Sequence, residues 1–354
     1  MELIGSLPLP ASLQWILRLK QMYHQKISRD LYLPYHDLAV AKSYARTVWQ
    51  KLSRLSSVDA VICPGTIPVA FLPGNTPLVT ISDATHRRLF NSYPGYEGLC
   101  PSTVSDGDRI ERAAIRRAAA SVFASDWAAA SAVQDYQAVP GKVHVVPFGA
   151  NFDQPPSRAE AIQSVEARSF DVLKLLFIGV EWKRKGGPAV MDVVRQLVAK
   201  KFPVHLTIVG CEPDISSADA PYITVKGVIQ KTPQGQQEIC HLIKQSHLLI
   251  VPSEAECYGM VYCEAGALGV PCLARRVGGV PTIVRDHVNG CLFDPGQPAT
   301  DIVNWIIKIF SDRDTYRQMA LSSREEYESR LNWSAAAEKL ERIIAGAIEN
   351  SRHT

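Results

Sequence analysis

A chain of 354 residues, 46% hydrophobic and 21% charged, is long enough for two ordinary domains and has the balance of a globular protein. A formal charge of +3 is too small to point to nucleic acid, and no stretch approaches the roughly 20 apolar residues of a membrane span or the pattern of a signal peptide. A cytoplasmic protein is expected.

The run Met1–Leu7 reads as a first strand, closed by Pro8-Leu-Pro10. From Leu13 to Tyr32 Trp15, Ile16, Leu19, Met22 and Tyr23 recur among Arg18, Lys20, Lys26 and Arg29, which predicts a basic amphipathic helix. Two readings of it stay open: a helix covering a sheet face, or peripheral docking on an anionic membrane surface. Helical spacing returns over Leu38–Leu55, and Asp59–Pro64 and Pro77–Ser82 are strands. The second strand opens into Asp83-Ala-Thr-His86 and a Gly/Pro-rich loop to Cys100. Ligands of α/β sheets bind beyond the carboxyl ends of strands, so Asp83 and His86 are candidate site residues. A helix over Ser105–Ala120, a strand Ser121–Ala124, a helix capped by Ser125 and a strand Lys142–Pro147 complete the first half. Residues 153–169 are polar, carry Pro155-Pro156, and read as the linker.

The α/β rhythm then restarts. The apolar strand Leu173–Gly179 leads into Val180-Glu-Trp-Lys-Arg-Lys-Gly-Gly187 and a helix over Pro188–Lys200. A strand, a basic glycine-bearing loop and a helix suit the gripping of phosphate oxygens. Strands follow at His205–Gly210 and Tyr222–Ile229, then a helix over Glu238–Ser246 and a buried strand Leu248–Val251. Beyond Pro252 a polar loop holds Glu254 and Glu256, Gly259 breaks it, and Met260–Leu268 has helical spacing with Glu264 inside. A helix start near Tyr258 would set Glu264 about 9 Å along the axis, with Glu256 in the loop ahead of it. Unpaired N–H groups at that start favour an anion such as phosphate. Helices over Thr300–Phe310 and Asp314–Arg330 and a last one capped near Asn332 end the chain. Eight scattered cysteines, with no Cys-x-x-Cys and no histidine at metal-ligand spacing, read as reduced core residues.

The stretch Glu256-Cys-Tyr-Gly-Met-Val-Tyr-Cys-Glu264 resembles the E-x7-E motif of retaining glycosyltransferases of family 4, and Gly269-Val-Pro271, Val277-Gly-Gly279-Val-Pro281 and Asn289-Gly290 resemble its continuation. The resemblance implies a GT-B fold, α/β, with two Rossmann-like domains facing across a cleft: 1–152 on the acceptor side, 153–334 on the donor side, and a final helix of about 335–354 packing back on the first. It implies a nucleoside diphosphate sugar donor, UDP-sugar or GDP-sugar, and a hydroxyl acceptor that is a glycan, lipid-linked or a small molecule. No metal or other cofactor is expected. By resemblance Glu256 contacts the donor sugar, Glu264 the ribose, and Lys185 the diphosphate, with Arg184 favoured over Lys183 as second cation. The N–H groups at Gly259, Met260 and Val261 would join them, and Asp83 or His86 would face sugar and acceptor. The family's usual first strand and glycine-rich loop have no match before Pro8. The alternative expectation is therefore a truncated, non-catalytic GT-B protein that binds nucleotide or sugar. On the transferase reading, localisation is cytoplasmic, with contact at the inner membrane face left open.

Overall fold

A computed structural model describes residues 2–352. Its contacts divide the chain into two units, Met1–Val146 with Glu338–Thr354, and Pro147–Ala337.

The first unit holds α1 (Ala11–Tyr23), α2 (Leu38–Leu52), β1 (Val61–Pro64), β2 (Leu78–Ser82), α3 (His86–Ser92), α4 (Pro101–Arg117), β3 (Ala120–Phe123), α5 (Asp126–Gln134) and β4 (Val143–Val145). Its sheet is parallel, in the order β1-β2-β3-β4. Asp37 and Ser125 cap α2 and α5, each accepting from a backbone N–H two or three residues on. Two expectations fail here. Glu2–Pro10 joins no strand, Met1 lying outside the described residues; Ile4 and Leu7 instead pack on the cluster of Val48, Val61 and Leu78, and Lys51 Nζ donates to the carbonyls of Ile4 and Ser6. The long basic helix also ends early: α1 stops at Tyr23, a single π turn follows to Ser28, and Arg29 at φ 56° breaks the direction.

The second unit begins with α6 (Arg158–Glu166), followed by β5 (Leu173–Ile178), α7 (Gly187–Ala199), β6 (Val204–Val209), β7 (Ile223–Val225), α8 (Pro233–Gln245), β8 (Leu248–Val251), α9 (Met260–Ala267), β9 (Cys272–Arg275), α10 (Val280–Ile283), β10 (Gly290–Phe293), α11 (Ala299–Ser311) and α12 (Arg313–Arg330). Its parallel sheet runs β10-β9-β8-β5-β6-β7. All four residues of β8 are buried, as a strand covered on both faces requires. The linker expected over 153–169 contains α6. Ser157 and Glu160 form a capping box, and Ala161 and Val165 are buried, so a helix forms where composition alone reads polar. The last helix, α13 (Trp333–Arg352), has Asn332 accepting from the Ala335 N–H at 2.9 Å.

Candidate functional site

In the second unit the sheet order puts β5 beside β8, so the segments leaving their carboxyl ends are neighbours. The segment after β5 is the basic turn 182–186; the one after β8 holds Glu254 and Glu256. The Glu254 N–H donates to the Arg184 carbonyl at 2.7 Å, which ties the two together. Lys185 Nζ donates to Glu256 Oε2, Arg184 Nη1 lies 3.8 Å from the same oxygen, and Arg184 Nη1 also donates to the Ala255 carbonyl at 2.9 Å. Arg184 Nε bonds Glu181. Lys183 is exposed, so Arg184 is the second cation at Glu256.

Glu256 is only 8% exposed, and burying a carboxylate is costly unless it is paired. Ser253 Oγ adds a donor at 3.3 Å to Oε2. Sequence reasoning missed this serine, although it stands three residues before the glutamate. The Glu256 backbone is fixed from the far side by the Val277-Gly-Gly turn: a Cβ on Gly278 would stand 1.8 Å from the Glu256 carbonyl oxygen, so only glycine fits.

Gly259 is the N-cap of α9 at φ 96°, a left-handed conformation, and a Cβ there would meet the Tyr262 ring at 2.6 Å. The helix starts at Met260, two residues later than the expected Tyr258. Glu264 therefore lies about 6 Å along the axis, not about 9 Å. Glu264 is half-buried. Burial pushes its carboxyl above the usual carboxylate range, against the opposing pull of the Asn151 N–H and Lys231. Neither Asn151 nor Lys231 was singled out as a partner from sequence, because both are more than thirty positions away along the chain.

The carboxyl end of α9 is held as firmly as its start. Arg168, 9% exposed, donates to the carbonyls of Leu268 at 2.9 Å and Gly269 at 2.8 Å and to Tyr316 Oη at 2.8 Å. Arg324 donates to the Ala267 carbonyl and, at 3.0 Å, to that of Pro156. Two guanidiniums thus satisfy helix-end carbonyls that would otherwise be orphaned.

In the first unit Asp83 is exposed after β2, while His86 is buried in the first turn of α3. His86 Nδ1 lies 2.6 Å from the Gly107 carbonyl, which makes it the donor, and Nε2 lies 3.7 Å from Glu111 Oε2. Glu111, 1% exposed, accepts from Thr66 Oγ1 at 2.7 Å. All eight cysteines are free. Folding brings Asp286, His287 and Cys291 within 4.8 Å of one another, a grouping that spacing did not single out, but Asp286 already bonds Arg276 and the Leu292 N–H.

Residues 160–326 match the family model described as glycosyl transferases group 1. The D-inositol 3-phosphate glycosyltransferase of Thermobifida fusca is 27% identical over 244 residues, 65% of this chain and 56% of that protein. One from Catenulispora acidiphila is 27% identical over 275 residues, 73% of this chain and 64% of its own length. The chain spans little more than half the length of such relatives. Among solved structures, sucrose-phosphate synthase of Thermosynechococcus elongatus superposes with a TM-score of 0.68 at 18% identity, covering 90% of this chain and 81% of that one. The Anabaena protein HepE, solved with UDP, gives 0.62 at 16% identity, with 85% and 82% covered. At such identities the likeness speaks for the fold, which is GT-B. The chain has the GT-B fold, and its residues 160–326 are similar to the glycosyl transferases group 1 family.

Proposed function

We propose that the chain moves a sugar, with retention of configuration, from a nucleoside diphosphate sugar to a hydroxyl on a glycan, a lipid-linked sugar or a small molecule. The observation that carries this reading is the convergence of Lys185 and Arg184 on Glu256 just ahead of α9, with Glu264 on the helix itself. In the transfer, the bond from the anomeric carbon to the diphosphate oxygen breaks while the acceptor oxygen bonds the same carbon from the same face. The acceptor proton goes to the departing phosphate oxygen. Negative charge grows on the diphosphate, and Lys185, Arg184 and the N–H groups at Gly259, Met260 and Val261 are fixed positive partners for it. Two cations in place make a metal unnecessary in this scheme.

Glu256 would orient the sugar hydroxyls and Glu264 would accept hydrogen bonds from the ribose. Asp83 and His86, in the first unit, would serve the sugar and acceptor. A similar structure was solved with UDP-glucose, which makes uridine nucleotides the first probe. A cytoplasmic setting belongs to the same proposal, because eight free cysteines suit a reducing compartment.

Calorimetric titration with UDP, GDP and ADP tests the site. One nucleotide should bind at micromolar strength, and Glu264→Gln should weaken it about tenfold, the loss of roughly one charge-assisted hydrogen bond. A folded chain that binds none of the three overturns the proposal. Nucleotide binding with no transfer to any hydroxyl acceptor makes the chain a nucleotide-binding protein, not a transferase.

A further inference from the structure

Helix α1 carries two apolar faces. Leu13 and Leu17 form the inner one, packed with Leu9, Tyr32, Val40 and Cys100, and Leu17 is the only residue of the helix that is buried. The other face is turned to solvent. Trp15, Leu19 and Met22 follow at intervals of four and three, with Ile16 and Tyr23 alongside, and all five are exposed, Trp15 by 63%. Ile27, in the π turn that continues the helix, is 70% exposed. Scattered surface apolar residues need no explanation, but a contiguous stripe of large ones marks a contact surface.

Charge identifies what it contacts. Arg18, Lys20, Lys26 and Arg29 are exposed along this segment, and no Asp or Glu occurs from Leu3 to Arg29. Of the nearby acids, Asp30 bonds His24 at 2.6 Å, and the buried Asp37 bonds Tyr32 and Lys20, each at 2.6 Å, which leaves Arg18, Lys26 and Arg29 as the exposed cations beside the stripe. A second copy of this face would bring cation against cation, which opposes self-association. Aromatic and aliphatic side chains flanked only by cations match an anionic bilayer surface: Trp15 and Tyr23 suit the headgroup level, and Arg and Lys meet lipid phosphates. Among the described residues no helix is long and apolar enough to cross a membrane, so the mode is lying on the surface.

We propose that the solvent-facing stripe of α1, Trp15, Leu19 and Met22 with Ile16 and Tyr23, docks the chain on anionic lipid bilayers through apolar insertion and cation–phosphate contact. This goes beyond sugar transfer and is tested without any donor. The full chain is floated with vesicles of phosphatidylcholine alone, or with about a third phosphatidylglycerol, at ~0.1 M and ~1 M salt. It should rise with the anionic vesicles, less so at high salt, and remain behind with the neutral ones. The double variant Trp15→Ser/Leu19→Ser should lower the bound fraction about tenfold or more while keeping its far-ultraviolet circular dichroism. Lys26→Glu/Arg29→Glu, which leaves the stripe intact, should lower it as well. A chain that stays behind with anionic vesicles overturns the proposal, as does binding that the first double variant leaves unchanged. A dimer seen by light scattering, abolished by Trp15→Ser/Leu19→Ser and accompanied by no vesicle binding, would also overturn it by assigning the face to a second copy.

Discussion

Replacing Glu256 by glutamine should separate nucleotide binding from sugar transfer, and in opposite directions. Lys185 donates to this carboxylate and Arg184, which also bonds Glu181 and the Ala255 carbonyl, lies 3.8 Å from it, in a pocket where it is 8% exposed. A diphosphate reaching the same cations has to share them. Two unit charges near 4 Å attract by about 4 kcal/mol at an effective dielectric of 20, and a charge-assisted hydrogen bond is worth about 1.5–3 kcal/mol net. Returning even half of the smaller figure to the ligand would tighten UDP binding by about 1 kcal/mol, roughly fivefold. Transfer should meanwhile fall by about a hundredfold or more, because the group proposed to orient the sugar is gone. Calorimetry with UDP and an initial-rate assay, run on one preparation with a thermal melt as folding control, check both. If Glu256→Gln binds UDP more weakly than the parent while melting normally, the carboxylate is not competing for the cations and the reasoning fails.

Two further outcomes concern stability. His247, 1% exposed, accepts the Lys174 N–H at Nδ1 and donates from Nε2 to the Ser169 carbonyl, 2.9 and 2.8 Å away, which fixes the neutral tautomer. Burial, helped by Arg168 and Lys174, pushes its pKa from 6.5 down to about 4. The unfolded chain takes up this proton first, so the neutral ring's contribution is fully present above pH 6.5. It is lost as pH falls from 6.5 toward 4, by about 3 kcal/mol in all. Melting temperature against pH should fall more steeply across that window in the parent than in His247→Asn; equal slopes would dismiss the histidine as the cause. Arg168→Met strips two carbonyls and Tyr316 of their donor and should lower unfolding free energy by about 3 kcal/mol or more in a denaturant titration, whereas a change under about 1 kcal/mol would show that solvent replaces the guanidinium.

The second unit was legible in the sequence where its signals are local. The all-apolar Leu248–Val251 is a strand to the residue, and the loop, glycine and helix after it appear in the order read from composition. Legibility failed where a local reading competed with a distant partner. Met1–Leu7 has a strand's composition, yet from Glu2 on no strand lies alongside it to complete the pairing, and its side chains go to α2 and β1 instead. Residues 153–169 look like a linker because two prolines and several charges mask a capping box. Glu256 and Glu264 were visible as a motif, but the partners of each carboxyl were not. Ser253 meets Glu256, and Asn151 and Lys231 meet Glu264, only once the chain has folded. The exposure of Trp15 was equally hidden, since periodicity shows that a helix has an apolar face without saying which face the fold uses.

The two guanidiniums behind α9 carry a consequence of their own. Arg168 and Arg324, the latter also paired with Glu328, donate to carbonyls at the negative end of this eight-residue helix, which lessens the field that end sets against its positive pole. The strength of the anion site proposed there is thus adjustable from behind, at Arg168 in the loop after α6 and Arg324 in α12. Variation there would grade the proposed hold on a diphosphate while Lys185, Arg184 and the N–H groups at the start of α9 stayed the same.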